Sequence, residues 1–148
     1  MQTRDIRSFR RVLRRFTRLI NSQLKTCCNE VTLAQCLVLL EVEELGSPTM
    51  GQLATNLRLD NSTLSRTVEG LVARELVARV RDDGDRRVVK VRLTEEGEAV
   101  SRSIHADNDA ICRRVFQRIP TSRQKRVIED FELLVQAYLD DEHEEECG

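Results

Sequence analysis

Aromatic residues are scarce in this 148-residue chain: 3% of it, with no Trp, one Tyr and four Phe. A core built without them must be held by Leu, Val and Ile, and with a third of the residues charged that points to a helix-rich soluble protein. No apolar run approaches the ~20 residues needed to cross a bilayer. The first residues, Met1 to Arg11, lack the apolar centre of a secretory signal. These absences place the expected site of action in the cytoplasm, away from membranes. Disulfides are not expected in that compartment, and five Cys, an odd number, cannot form a fully paired framework. No Ser-His-Asp set, phosphate-cradling glycine loop or metalloprotease motif is present, so catalysis is not expected and no cofactor is required. Internal repeats, low-complexity linkers and a second domain are likewise missing.

The formal net charge is only −1, but the charge is unevenly distributed. Arginines dominate the first eighteen residues and the segment around Arg86-Arg87. The run from Asp140 to Glu146 is acidic. Binding to nucleic acid requires a local cationic surface, not a cationic total.

The informative stretch runs from Thr49 to Thr94. Met50, Leu53, Ala54 and Leu57 form a short helical apolar face. Arg58-Leu59 break it. Asp60 or Asn61 then caps a second helix by accepting from its first-turn N–H groups. On that helix Leu64, Val68, Leu71 and Val72 are expected to point inward, leaving Ser62, Thr63, Ser65, Arg66 and Glu69 outside. Small hydroxyl residues permit close approach to a major groove, and hydroxyls and Arg supply donors to phosphates and base edges. Val77–Arg81 and Val89–Leu93 alternate apolar and basic residues around the turn-rich Asp82-Asp83-Gly84-Asp85-Arg86-Arg87. This is a hairpin with one packed face, one cationic face and an Arg-bearing tip sized for a minor groove.

The run from Leu53 to Gly97 resembles the winged helix-turn-helix core of the MarR family of bacterial transcriptional regulators. Its most specific piece is Asp85-x-Arg87 followed by Leu93-Thr94-x-x-Gly97, placed after Ser62-x-x-Ser65-Arg66. Two positions depart from the family pattern: Arg58 and Glu75-Leu76 stand where glycines are usual. The resemblance implies a mainly α fold with a small β wing: a winged helix-turn-helix core over residues 32–97 and dimerisation helices over 1–30 and 98–148, in one domain. It implies a homodimer on double-stranded DNA, repressing a nearby operon until an effector binds. Asn61, Ser62, Thr63, Ser65 and Arg66 would contact DNA, Arg87 would enter the minor groove, Asp85 would brace the wing through a charge pair, and Arg86 would meet phosphate.

Outside the core, Ile6, Phe9, Leu13, Phe16, Ile20 and Leu24 predict an amphipathic helix with seven arginines on its other faces. Lys25 to Glu30 reads as a break. Thr32 and Gln35 form a capping box, with Val31 and Cys36 at the staple positions, and Gly46 ends that helix. After the hairpin, Thr94 caps a long helix stopped by Pro120. Val127, Ile128, Phe131, Leu134, Val135, Tyr138 and Leu139 give the last helix a wide apolar stripe. The first, fifth and last helices carry more apolar surface than one small domain can cover. Interdigitation of two chains solves this.

Cys27, Cys28 and Cys36 are the candidate sensor. Three thiolates suit a soft metal or metalloid, and a thiol near a helix N-terminus is activated for redox chemistry. The alternative for Cys36 is a small buried staple residue. Two further functional alternatives remain: the same fold answering to a small aromatic or lipophilic ligand at the dimer cleft, and a winged-helix protein-interaction module without specific DNA binding. His105 near Asp107 and Asp109, and His143 in the acidic run, are read as solvated.

Overall fold

A computed structural model describes the backbone of residues 2–27 and 31–147 and the side chains of residues 2–23 and 31–142. The order is α1 (Thr3–Cys27), α2 (Leu33–Leu45), α3 (Met50–Leu57), α4 (Asn61–Ala73), β1 (Val77–Arg81), β2 (Val89–Leu93), α5 (Glu95–Phe116) and α6 (Thr121–Cys147). The mainly α fold with a two-stranded wing is therefore as the sequence implies. The chain divides into two compact units, Met1–Asp107 and Asn108–Gly148, with the boundary inside α5.

In the first unit, local chemistry sets the helix ends. Thr32 accepts from the Gln35 N–H at 3.2 Å while the Gln35 side chain accepts from the Thr32 N–H at 3.1 Å. Thr49 and Gln52 repeat the arrangement at the start of α3. Gly46 closes α2 at φ 79°. Val31 and Cys36 are both buried, as the staple positions require. The core forms where α2, α3, α4 and the wing meet, around Val38, Leu39, Val42, Leu53, Leu64 and Leu71, all fully buried. Each contributes ~1.5–3 kcal/mol of transfer free energy.

The expected inner face of α4 holds for Leu64, Val68 and Leu71 but not for Val72, which is 38% exposed. At 100° per residue, Val72 lies one step past Leu71 and rotates off the buried stripe. The two turns that lack glycine take left-handed backbone regardless: Arg58 ends α3 at φ 52°, and Glu75 precedes β1 at φ 57°. Such conformations cost an L residue about 1–2 kcal/mol, partly offset by the unfolded-state entropy that glycine would add. Glu75→Gly is therefore expected to raise stability by about 0.5 kcal/mol, measured by urea unfolding.

β1 and β2 pair antiparallel, Val77 opposite Leu93 and Arg81 opposite Val89. Val77 and Val91 are buried and Arg79, Arg81 and Arg92 are exposed. The register sets Arg79 opposite Val91 and Arg81 opposite Val89, so these two arginines share the ribbon face of the buried valines. The expected division into one packed and one cationic face does not hold. The N–H of Val91 donates to the Pro48 carbonyl at 2.8 Å, and Thr49 bridges Lys90, so the wing is tied to the entry of α3.

α5 is fastened to α2 by one carboxylate. Glu43 Oε2 accepts from the buried Ser101 hydroxyl and pairs with His105 Nε2, both at 2.6 Å. The Ser101 hydrogen bond, then that of His105, holds the Glu43 carboxyl below its ordinary 4.5. A lowered carboxyl stabilises the fold above its unfolded value and loses that contribution as pH falls through its folded value. Glu43→Gln is expected to flatten the acid limb of the stability curve below about pH 4.5, followed by thermal melts across pH.

In the second unit, α6 continues as helix through the acidic run to Cys147. Glu is a strong helix former. α1 extends to Cys27, three residues into the expected break. Among the described residues no helix is long and apolar enough to cross a membrane.

Candidate nucleic-acid interface

Two surfaces of the first unit assemble the candidate site: the N-terminal end of α4 and the tip of the β1–β2 wing. At the α4 entrance Asp60 is the organiser. Its Oδ1 accepts from the Thr63 N–H at 2.8 Å and the Ser62 hydroxyl at 2.7 Å, and its Oδ2 accepts from the Thr63 hydroxyl at 2.6 Å. These bonds, the Thr63 hydroxyl foremost, hold the Asp60 carboxyl far below the usual carboxylate range. Asp60 is ionised at any working pH.

This cap has a chemical consequence. With their protons directed at Asp60, the Ser62 and Thr63 hydroxyls present oxygen lone pairs outward. In that state they are acceptors, suited to the amino groups of adenine or cytosine in a major groove, whereas a phosphate would require the proton to be redirected. Further along α4 the Ser65 hydroxyl donates to Glu69 Oε1 at 3.2 Å. Arg66 is exposed, with its Nε 3.4 Å from the Ser62 carbonyl. Asn61 is exposed at the first position of the helix. Arg79 of β1 lies 3.9 Å from Glu69, setting a wing cation beside the helix.

The wing tip is built by two aspartates. Asp82 accepts from the N–H groups of Gly84 and Asp85, both at 3.2 Å, and pairs with Lys90 Nζ at 2.6 Å. Asp85 accepts from the Arg87 N–H at 3.0 Å and its Nε at 3.2 Å, and its second oxygen faces Nη2 at 3.3 Å. Lys90 lowers the Asp82 carboxyl and Arg87 lowers that of Asp85. Residues 81–90 carry four cations and three carboxylates. Because Asp82 and Asp85 turn inward to hold the loop, its exposed charges are Arg81, Arg86 and Arg87 against Asp83, a cationic excess. Arg87 is 91% exposed and projects from the tip with one edge of its guanidinium held by Asp85. Arg86 is exposed beside it.

Every DNA-contact candidate named from the sequence thus lies in the first unit, on α4 or the wing tip. Two contributors were not singled out as site residues: Asp60, which directs the hydroxyls, and Asp82, which folds the tip. Asx-turn chemistry in Asp82-Asp83-Gly84 and the Asp60-Asn61-Ser62-Thr63 run was the available signal.

The sensor candidates are only partly placed. Cys36 is buried in the core cluster, in the packing position that its staple role requires. The Cys27 side chain and all of Cys28 lie outside the described residues, so the three-thiol cluster is not placed. Cys112 is exposed on α5. Glu43, Ser101 and His105 meet through the carboxylate: Ser101 donates to Glu43 and not to the imidazole. That arrangement fixes a helix pair.

The profile of the MarR family matches residues 31–89. The chain is 31% identical over 107 residues to an uncharacterized HTH-type transcriptional regulator, YsmB of Bacillus subtilis (strain 168), covering 71% of this chain and 73% of that protein. It is 29% identical over 94 residues to a second, YhbI of the same organism, of whose length the match spans 61%. Among solved structures it resembles a MarR family protein from Bacillus stearothermophilus, with a TM-score of 0.87, 23% identity and coverage of 94% of this chain and 99% of that one. It also resembles Streptococcus pneumoniae FabT in complex with DNA, with a TM-score of 0.76, 18% identity and coverage of 90% and 98%.

Proposed function

We propose, for a chain that belongs to the MarR family of DNA-binding transcriptional regulators, that it is a homodimeric repressor of a palindromic operator, released when an effector binds. The observation that carries this is the pairing, in one compact unit, of a polar α4 entrance with an outward, Asp85-braced Arg87. The helix suits a major groove and the arginine the narrow negative minor groove beside it. A DNA complex of a structural neighbour, FabT, supports the same use of the fold.

Dimerisation is supported by exposed apolar side chains on two helices. α1 exposes Ile6, Phe9, Val12, Phe16 and Leu19, and α6 exposes Phe131, Leu133, Val135, Tyr138 and Leu139 among others. Contiguous apolar surface on this scale marks an interaction face. Twofold pairing would set two α4 helices about 34 Å apart on one side of the duplex. An effector then needs only to favour a spacing that no longer fits. A differential of ~3 kcal/mol lowers DNA affinity more than a hundredfold.

Two effector classes follow from the chemistry: a thiol-reactive species or soft metal acting at Cys27, Cys28 and Cys36, or a small lipophilic ligand. Burial of Cys36 means that a reagent reaches this thiol only when the core opens. The test is a reporter under the chain's own upstream DNA, with mobility shift on the same fragment. Repression, two chains per duplex and release by one effector class are expected. Release by arsenite or oxidant that survives triple Cys→Ser substitution removes the thiol reading. A fragment bound by one chain, or not at all, removes the dimeric repressor.

A further inference from the structure

Asp60 does more than cap α4: it fixes the hydrogen-bond polarity of the helix entrance. Oδ1 takes the Thr63 N–H and the Ser62 hydroxyl, and Oδ2 takes the Thr63 hydroxyl. An ionised carboxylate has no proton to give, so the hydroxyl is the donor in each O–H pair. What Ser62 and Thr63 then offer a ligand is lone pairs alone. Asp60 and Ser62 are exposed and Thr63 is half-buried, so the three residues present one acceptor surface. A phosphate, itself an anionic acceptor, finds no donor there.

We propose that Asp60 sets the base class read by α4: Ser62 and Thr63, held as acceptors, select an amino base, adenine or cytosine, over a keto base, guanine or thymine, on the strand they face. The proposal rests on the DNA-binding reading above and adds a determinant of its specificity. In the major groove adenine N6 and cytosine N4 are donors, whereas guanine O6 and N7 and thymine O4 are acceptors. An acceptor set against an acceptor leaves both desolvated and unpaired, which rejects the wrong base. Serine and threonine hydroxyls rotate to suit their surroundings, so this polarity comes from the carboxylate and not from the hydroxyls themselves.

Asp60→Asn separates polarity from capping. Asn caps a helix about as well as Asp. The Thr63 N–H requires an acceptor, so the amide turns its oxygen toward that N–H and Ser62, and its NH2 toward the Thr63 hydroxyl. The hydroxyl then accepts from the amide and directs its proton outward, as a donor.

The experiment is duplex selection from a random pool by full-length wild type, Asp60→Asn, Thr63→Val and the double variant, with preferences measured by competition anisotropy. Thr63→Val should make one position in each half-site indifferent. At that position wild type should prefer adenine or cytosine by about fivefold or more. Asp60→Asn should invert the preference to guanine or thymine, and the double variant should be as indifferent as Thr63→Val. A ratio of preferences cancels the general gain in affinity from removing a carboxylate near DNA. Thermal melts should place Asp60→Asn within about 4 °C of wild type. An Asp60→Asn variant that alters overall affinity but keeps every wild-type preference overturns the proposal. So does a keto base at the Thr63-dependent position in wild type, a Thr63→Val variant with every preference intact, or an inversion that persists in the double variant. A wild-type pool without any shared sequence removes the DNA-reading repressor itself, and this proposal with it.

Discussion

Replacing Gly97 by alanine is expected to unfold the wing from the helices. A Cβ built at Gly97 would lie 1.9 Å from the Leu76 carbonyl oxygen and 2.9 Å from its carbon. Both are backbone atoms and have nowhere to go. Leu76 is held in place because its carbonyl accepts from the Thr94 N–H at 3.1 Å and its side chain is buried. The Thr94 hydroxyl donates to the Glu75 carbonyl and accepts from the Gly97 N–H at 3.0 Å. One residue therefore staples the entry of β1, the exit of β2 and the first turn of α5, and the staple closes only over a hydrogen at position 97. The cost is expected to be about 3 kcal/mol or more, a fall in Tm of the order of 10 °C. Gly51→Ala is the control. Its Cβ would meet only the Thr49 hydroxyl, at 3.8 Å, so this helical site should be neutral or gain up to about 1 kcal/mol.

Arg87→Ala is expected to leave stability unchanged and to weaken DNA binding by about ten- to a hundredfold. The side chain is almost wholly exposed and its only partner among the described residues is Asp85 on the same turn, so the folded state loses nothing of weight. On a duplex, each lost phosphate or groove contact also removes about one unit from the salt slope, or about two for a dimer. Fluorescence anisotropy across a salt series reads both quantities. Arg87→Lys should recover charge but not the fork held by Asp85, so affinity should return only in part.

These two residues show what was legible in the sequence. The wing strands were read at their true bounds because period-two alternation is a strong local signal. The cap at Thr32 and the choice of Asp60 or Asn61 for α4 followed from side chains that reach their own backbone, and the stop at Gly46 from the positive φ that glycine permits. Leu93-Thr94-x-x-Gly97 was visible as a pattern. Its cause was not, because the Leu76 carbonyl that requires Gly97 lies 21 residues upstream. The link from Glu43 to Ser101 and His105 spans 58 and 62 residues and leaves no local trace. On α4 the hydroxyls were expected to act as donors. The structure spends their protons on Asp60, which composition alone does not disclose. Val72 was misplaced because a stripe of four apolar residues is wider than the core that α4 meets.

Selection of bound duplexes from a random pool by the purified full-length chain tests the central claim most directly. The account predicts enrichment of an inverted repeat whose half-sites are centred about one helical turn apart, with two chains on each selected duplex and the enrichment abolished by Arg66→Ala/Arg87→Ala. A pool that emerges without any shared sequence, or a single unrepeated site occupied by one chain, would contradict it.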